Sequence, residues 1–334
     1  MNQANFFSRV SLDRTGEKRH NQQWLVKKLL DEKSLFYLCH GEQWLGIPEK
    51  GLVACFHQQV AKLLKHLDSW VFLGTVPCSS ETDCCQEGAL SKGEIAEFAL
   101  DISHLDLSDS ELEKLPGEWC YPRELAMVSS ERQGSLLAMA STLLHWHRRH
   151  QFCGCCGNKT TLEAGGHEIL CSNLDCQHKT YPRIDPSVIM LVHDQTSCLL
   201  GRQEQWQAGR FSTLAGYVEP AESLEQAVAR EVMEESGIKI IDPIYHSSQP
   251  WPFPNSLMLA FTATPVSRDI TLHDQELAEA RWFTRQEIVD QLNSGELKLP
   301  PTIAVARQLI EDWFNQGWDT SLSNIIQSVE AEKS

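Results

Sequence analysis

The sequence predicts an α/β protein: a layered α/β domain in the C-terminal half, preceded by a small cysteine-rich ribbon and an N-terminal α+β domain. Three observations carry this prediction. Strand-length apolar runs at "SVIMLV" (187–192), "SCLLGR" (197–202) and "LMLAFTATPV" (257–266) are interleaved with two helical stretches, the pattern of helices layered on a sheet. Two closely spaced cysteine pairs lie just upstream. Residues 1–128 carry short apolar runs, such as "WVFLGTV" (70–76) and "AEFALDISHLDL" (96–107), that read as strands and short helices. The boundaries drawn from these shifts are 1–128 for the N-terminal domain, 129–183 for a linker helix and the ribbon, 184–314 for the layered domain and 315–334 for a tail.

With 334 residues the chain is long enough for two or three domains with real cores. Its formal net charge of -16 excludes a protein that coats nucleic acid through bulk electrostatics, although a local basic patch can still guide a polyanionic substrate. The start, "MNQANFFSRVSLDRTGEKRH", has no apolar core of signal-peptide length, and no apolar run reaches the ~20 residues of a membrane span. A cytoplasmic protein with no membrane partner is expected. The 12 cysteines, scattered as singles and pairs, are expected to be reduced thiols there.

Taken in order, the N-terminal region offers no motif with chemistry, and Cys84, Cys85 and its histidines read as packing and surface residues. From Ser130 to His150 a helical period sets in, with Leu136, Leu137, Met139, Ala140, Leu143 and Leu144 apolar. Its basic end, His145, Arg148, Arg149 and His150, complements the helix C-terminus; a sharper reading makes it a lead-in to a phosphate-bearing ligand. Cys153 and Cys156, then Cys171 and Cys176, form C-x2-C and C-x4-C, which suits two loops offering four thiolates to one tetrahedral Zn²⁺. Glycines in "CGCCG" permit a tight turn, and Gly165 and Gly166 a return hairpin; Cys155, His167 and His178 are competing ligands. "HDQT" reads as the turn of a hairpin joining 187–192 to 197–202. The prolines of "LPPTIAVARQLIEDWF" (299–314) open a closing amphipathic helix.

The stretch "GYVEPAESLEQAVAREVMEESGI" (216–238) is richest in chemistry. Ser223 and Gln226 have capping-box spacing, and Gly237 stands where a left-handed cap stops a helix. At about 100° per residue, Leu224, Ala227, Val228 and Val232 share one face, and Glu231 and Glu235 fall on it too. Two carboxylates aimed at a core need something cationic to offset their burial. Four residues apart, with Glu234 beside them, they suit a hard cation: Mg²⁺ or Mn²⁺ held there bridges pyrophosphate oxygens, neutralises charge building at phosphorus and acidifies a bound water. Arg230 reads as a bidentate partner of Glu222, fixing the loop against the helix. The same stretch matches every fixed position of G-x5-E-x7-R-E-U-x-E-E-x-G-U, from Gly216 through Glu222 and Arg230 to Ile238. On it the chain resembles the Nudix hydrolases, which cleave nucleoside diphosphates linked to another moiety, and the resemblance implies their α/β/α sandwich with a mixed sheet.

A second motif, "SQPWPFPNS" (248–256), reads bare as a stiff extended loop presenting Trp251 and Phe253, or as a proline-rich ligand of a small recognition domain. Downstream of the first motif it is similar to the S-Q-P-W-P-F-P-x-S array of the NADH pyrophosphatases, which also remove the NAD cap from RNA. The cysteine cluster, "TYPR" (180–183) and "LIEDW" (309–313) agree, so the resemblance covers 150–314. It implies hydrolysis of NADH or NAD+ at the pyrophosphate to (reduced) nicotinamide mononucleotide and AMP, and of NAD-capped RNA to 5′-monophosphate RNA. It implies Mg²⁺ or Mn²⁺, more than one per active site, on the carbonyl of Ala215 and on Glu231, Glu234, Glu235 and Glu276, with the three helix glutamates catalytic. One structural Zn²⁺ per chain on the four cysteines and a homodimer are implied as well. Substrate contacts are implied for Tyr181, Gln249, Pro250, Trp251, Pro252, Phe253, Pro254, Asn255, Ser256 and Ala306, with Tyr217 and Trp251 placed to hold the nicotinamide ring. The chain departs from the family pattern in its C-x4-C spacing and in "AVAR" (304–307), where T-V-A-R is usual. Two rivals stand beside this reading: a broader hydrolase of ADP-ribose or dinucleoside polyphosphates, and a zinc-ribbon binding module with a decayed catalytic box. Intact glutamates count against the second, because unpaired buried carboxylates are costly to keep.

Overall fold

The computed structural model describes residues 5–65, 69–77, 94–272 and 276–333, so Cys84 and Cys85 lie outside the described residues. The chain divides into two compact units. One holds Ile184–Trp251 and Ser256–Ser334 with the first residues up to Phe6; the other holds Phe7–Arg183 and Pro252–Asn255.

In the first unit the strand Asp185–Val192 is apolar at successive positions, and alternation sends its side chains to opposite faces. Val188, Met190 and Val192 join one cluster with Ala227, Val228 and Val232 of the helix Leu224–Ser236. Ile189 and Leu191 join another with Ile288 and Leu292 of the helix Arg285–Ser294, and with Leu309, Ile310, Trp313 and Phe314 of the helix Val305–Asn315. A strand apolar on both faces requires cover on both, and the result is the expected α/β/α sandwich. Its main sheet is mixed, in the order Leu214–Tyr217, Asp185–Val192, Ser256–Pro265, Ile240–Trp251, with only the middle pair parallel. A two-stranded sheet, Ser197–Gln203 against Leu277–Thr284, completes it. A further helix, Leu322–Lys333, lies within the stretch read as a tail and buries Leu322 in the second cluster.

Two local expectations are corrected. The strands flanking "HDQT" do not form a hairpin ladder. Asp194 Oδ1 does accept the amide hydrogens of Thr196 and Ser197, at 2.8 Å each, so the turn is real. Beyond one bridge, His193 to Cys198, the second strand leaves to pair with Leu277–Thr284, whose ladder runs from Ser197↔Thr284 to Gln203↔Leu277. "SQPWPFPNS" is not an extended loop either. Residues 248–251 end a strand whose partners are Ser248↔Leu259, Gln249↔Met258, Pro250↔Leu257 and Trp251↔Ser256, with Pro252–Asn255 as the hairpin loop. Pro250 is tolerated because this strand is the sheet's edge, where a missing N–H breaks no ladder.

The second unit is α+β. Its seven-stranded sheet centres on the parallel pair Leu35–His40 and Glu94–Asp101, and Phe36, Leu38, Phe72, Phe98 and Leu100 fill its core. The helix Glu131–Arg149 starts at Ser130, whose hydroxyl accepts from Gln133 N in a full capping box. It is tied to this sheet by Arg132 to Glu97 near one end and by Arg148 Nε to Asp101 Oδ2 at 3.1 Å near the other. Both acids are wholly buried, and desolvation pushes the Glu97 carboxyl up against the opposing pull of Arg132. The ribbon follows as three short antiparallel strands, Thr160–Glu163, Glu168–Cys171 and Lys179–Thr180. No helix among the described residues is long and apolar enough to cross a membrane.

Candidate active site and metal centre

The glutamate helix runs Leu224–Ser236. Ser223 Oγ accepts from Gln226 N at its start, and Gly237, at φ 70°, ends it by donating its N–H to Met233 O. Glu231 and Glu235 are 8% and 3% exposed, on the same face as Val228 and Val232, whereas Glu234 is exposed. The neighbouring strand Leu214–Tyr217 explains why Gly216 has no side chain: a Cβ there would run into the Glu231 carboxylate. Ser187 Oγ holds that strand by donating to Gly216 O at 2.8 Å. The register Ile189↔Ala215 sets the Ala215 backbone beside Gly216 on this edge of the sheet.

Arg230 organises the carboxylates. Nε and Nη2 donate to the two oxygens of Glu222 at 2.7 and 2.9 Å, the bidentate pair expected from the sequence. The remaining donors go further than expected: Nη1 reaches Glu231 Oε1 and Glu234 Oε2, both at 2.8 Å, and Nη2 also reaches Tyr217 O at 2.9 Å. One guanidinium thus ties loop, strand and two helix glutamates together. Its hydrogen bonds hold the Glu222 carboxyl below the usual range. Glu231 shifts the other way: desolvation raises it most, Arg230 opposes, and Glu234 and Glu276 add repulsion. Glu276 therefore lies within electrostatic reach of Glu231, although it comes from the segment leading into Leu277–Thr284, far away in sequence.

The other substrate residues fall into two groups. Gln249, Pro250, Trp251, Ser256 and Ala306 belong to the unit that carries the glutamates; Tyr181 and Pro252–Asn255 belong to the other. Gln249 is 1% exposed and both ends of its amide are engaged: Nε2 donates to Ile303 O at 2.9 Å and Oε1 accepts from Val305 N at 2.7 Å. It fixes the backbone that opens the helix bearing Ala306. Tyr217 and Tyr181 are both more than half exposed, so their rings are accessible. Ser187 and the Ile303 carbonyl escaped the sequence reading. Strand alternation puts Ser187 on the face of Ile189 and Leu191, a polar residue at the start of an apolar row, which was the available signal; nothing in the sequence marks Ile303.

The four cysteines converge. Among the described residues, ligand atoms of Cys153, Cys156, Cys171 and Cys176 all lie within 4.8 Å of one another, with Sγ–Sγ distances of 3.9 Å for Cys153–Cys176 and 3.4 Å for Cys156–Cys171. Four sulfurs bound tetrahedrally at about 2.3 Å stand about 3.8 Å apart, so the cage fits a zinc-sized ion. The competitors fall away: His167 Nε2 is spent on Phe72 O at 2.8 Å, and neither Cys155 nor His178 joins the group. Within this cluster the thiols shift in opposite directions: hydrogen bonds from Asn158 lower Cys156, while burial raises Cys171.

Residues 183–304 match the NUDIX domain family. The NAD-capped RNA hydrolase NUDT12 of Homo sapiens is 37% identical over 341 aligned positions, which span 93% of this chain and 73% of that protein. A protein of Schizosaccharomyces pombe named NAD-capped RNA hydrolase is 30% identical over 367 positions, covering 95% of each. NAD-capped RNA hydrolase NudC of Mycobacterium bovis is 40% identical over 209 positions, 60% of this chain and 66% of that one. The chain belongs to the Nudix hydrolases, divalent-metal enzymes of phosphoanhydride bonds.

Proposed function

We propose that the protein hydrolyses the pyrophosphate bond of NADH and NAD+, releasing (reduced) nicotinamide mononucleotide and AMP, and removes the NAD cap from RNA to leave a 5′-monophosphate end. The observation that carries this reading is the buried pair Glu231 and Glu235, with Glu231 against the side-chain-free Gly216, in a chain that matches named NAD-capped RNA hydrolases over most of its length. The all-oxygen donor set suits a hard cation: Glu231, Glu234, Glu235, the Ala215 carbonyl and Glu276 would hold Mg²⁺ or Mn²⁺, more than one per site. When bound, such ions neutralise the charge that develops on the phosphoryl oxygens.

The chain's own residues do the rest. Arg230 clamps Glu222 and the Tyr217 carbonyl, so the loop and helix keep one geometry during turnover. Glu231, Glu234 and Glu235 form the catalytic set, one of which takes the proton of the attacking water as it bonds to phosphorus. Tyr217 and Trp251 hold the nicotinamide ring. Tyr181, Pro250, Pro252, Phe253, Pro254, Asn255, Ser256 and Ala306 line the substrate, and Gln249 serves by fixing the backbone ahead of Ala306. One Zn²⁺ on the four cysteines is structural. The catalytic domain is 184–314, after the N-terminal domain 1–128 and the linker helix and ribbon 129–183, and 315–334 follows as a C-terminal extension. The working unit is a cytoplasmic homodimer, a reading supported by the family resemblance and by the large N-terminal domain as a source of interface. Comparing kcat/KM for NADH, ADP-ribose and diadenosine polyphosphates tests the substrate assignment. NADH is expected to lead; ADP-ribose or a diadenosine leading would hand the reading to the broader hydrolase.

A further inference from the structure

The strand Ile240–Trp251 is the edge of the main sheet, so it has a ladder partner on one side only. Its register slips just ahead of the motif "SQPWPFPNS": Tyr245 pairs with Phe261 and Ser247 with Ala260, which leaves His246 as an extra residue outside the ladder. A bulge of this kind bends a strand and re-aims the side chains beyond it. Beyond this one lie Gln249, Pro250 and Trp251, the substrate residues of the strand. Because side chains alternate, a slip of one residue would turn all three to the opposite face. The register at His246 therefore decides which way Trp251 points.

Two pins hold that register. His246 Nε2–H donates to Asp312 Oδ2 at 2.8 Å, on the helix Val305–Asn315, and in the neutral ring Nδ1 then accepts from the Ser247 hydroxyl at 2.8 Å. The second pin is Asn5, 8% exposed and 242 residues before Ser247. Its amide nitrogen donates to Ser247 Oγ at 3.0 Å and to Ser248 O at 2.8 Å. Hydrogen bonds thus run in one direction from Asn5 through Ser247 and His246 to Asp312, each donor meeting an acceptor, an arrangement in which neighbouring bonds strengthen one another. Gln249 follows at once and makes the bonds to Ile303 O and Val305 N already described, so the strand is tied to the start and to the body of one helix. All of these residues lie in the unit that carries the glutamates. In the other unit Phe7, 2% exposed, stands edge-on to Phe253 at 6.0 Å, so a second residue of the same short segment meets the same motif.

We propose that Asn5 is a positioning residue for the substrate strand: its amide fixes the register beyond the His246 bulge and thereby sets Trp251 for the nicotinamide ring. The proposal rests on the reading of NADH as substrate and of Trp251 as its ring contact. Asn5→Asp tests it by keeping the shape while turning a carboxylate on Ser248 O, and Asn5→Ala by removing the donors. Both are expected to raise KM for NADH, by about tenfold and about threefold respectively, with kcat within about twofold of wild type. ADP-ribose, which has no nicotinamide ring, should inhibit NADH hydrolysis with an inhibition constant within about twofold of wild type. Amide hydrogen exchange, measured without substrate, should quicken over residues 246–251 and keep its wild-type rates in the helix Leu224–Ser236. A KM within twofold of wild type in Asn5→Asp overturns the proposal, and so does unchanged exchange over 246–251. A lower kcat at unchanged KM is the sign of a smaller folded fraction; it makes Asn5 a stabilising residue only and overturns the proposal too, as does ADP-ribose weakened as much as NADH. A wild type that leaves NADH uncut refutes the functional reading instead, and the exchange measurement alone then decides whether Asn5 holds the strand.

Discussion

The glutamate helix and the cysteine ribbon both carry several anionic donors, and they place them by opposite means. Glu231, Glu234 and Glu235 come from little more than one turn of a single helix, and their nearness is a consequence of helical periodicity. The four cysteines come from two loops 14 residues apart and converge only because three short strands bring the loops together. In the first site Arg230 already shares the charge of Glu231 and Glu234, so those two are held whether or not a cation is present. The second has amide donors such as Cys155 N and Asn173 N, each 3.4 Å from a sulfur. On the proposed function the first site would do chemistry on a fold that stands without it, and the second, loaded with zinc, would supply folding energy to a ribbon with almost no core of its own.

Breaking each site separates the two roles. Glu235→Gln is expected to cut NADH turnover by at least about a hundredfold, the scale of a lost general base, with zinc content and thermal unfolding unchanged. A rate within about threefold of wild type, well under 1 kcal/mol of barrier, would remove Glu235 from the mechanism. Cys153→Ser should do the reverse: metal analysis should find about one zinc per chain fewer, and unfolding should shift down by several kcal/mol or about 10 °C, because structural zinc binding is folding free energy. Purified wild type without zinc would end that account.

A smaller effect comes from protons. Two histidines fasten the ribbon turn: His147, on the helix Glu131–Arg149, donates Nε2–H to Gly166 O at 2.7 Å, and His167 donates Nε2–H to Phe72 O of the N-terminal sheet at 2.8 Å. Burial pushes both imidazoles down to about 4. A depressed folded pKa means that the unfolded chain binds the proton first. The stability these two contribute is full above pH 6.5 and is lost as pH falls toward 4, at up to about 1.4 kcal/mol per pH unit for each. Urea unfolding between pH 7 and pH 5 measures it, and His147→Gln, which can keep the bond to Gly166 O, should flatten the slope. A slope unchanged by that substitution would assign the acid sensitivity elsewhere.

How much of this was legible follows from how local each cause is. The buried glutamates were readable because a 3.6-residue period and an apolar face fit in 13 residues, and Ser223 and Gly237 punctuate both ends. The cysteine cage was readable from spacing, but its choice over Cys155, His167 and His178 was not, since that depended on Phe72 drawing off His167 across 95 residues. The false hairpin at 192–197 has the same origin. Asp194 makes a good turn, yet the second strand's true partner begins at Leu277, and nothing near the turn encodes it. Prolines in "SQPWPFPNS" argued for a loop, and only the sheet order reveals an edge strand that tolerates Pro250. The pairs Arg132–Glu97 and Arg148–Asp101 join residues dozens of positions apart, so nothing local marks these acids as buried partners of the helix.

The central claim is that the protein's carboxylates address a pyrophosphate and nothing else in the substrate. Chromatography of the NADH reaction with Mg²⁺ or Mn²⁺ tests it most directly. Reduced nicotinamide mononucleotide and AMP in equal amounts, with neither formed by Glu235→Gln, is the predicted result. Free nicotinamide with ADP-ribose as the product pair would contradict it, because that cleavage breaks the ribose–nicotinamide bond, which no residue of the glutamate helix is proposed to address.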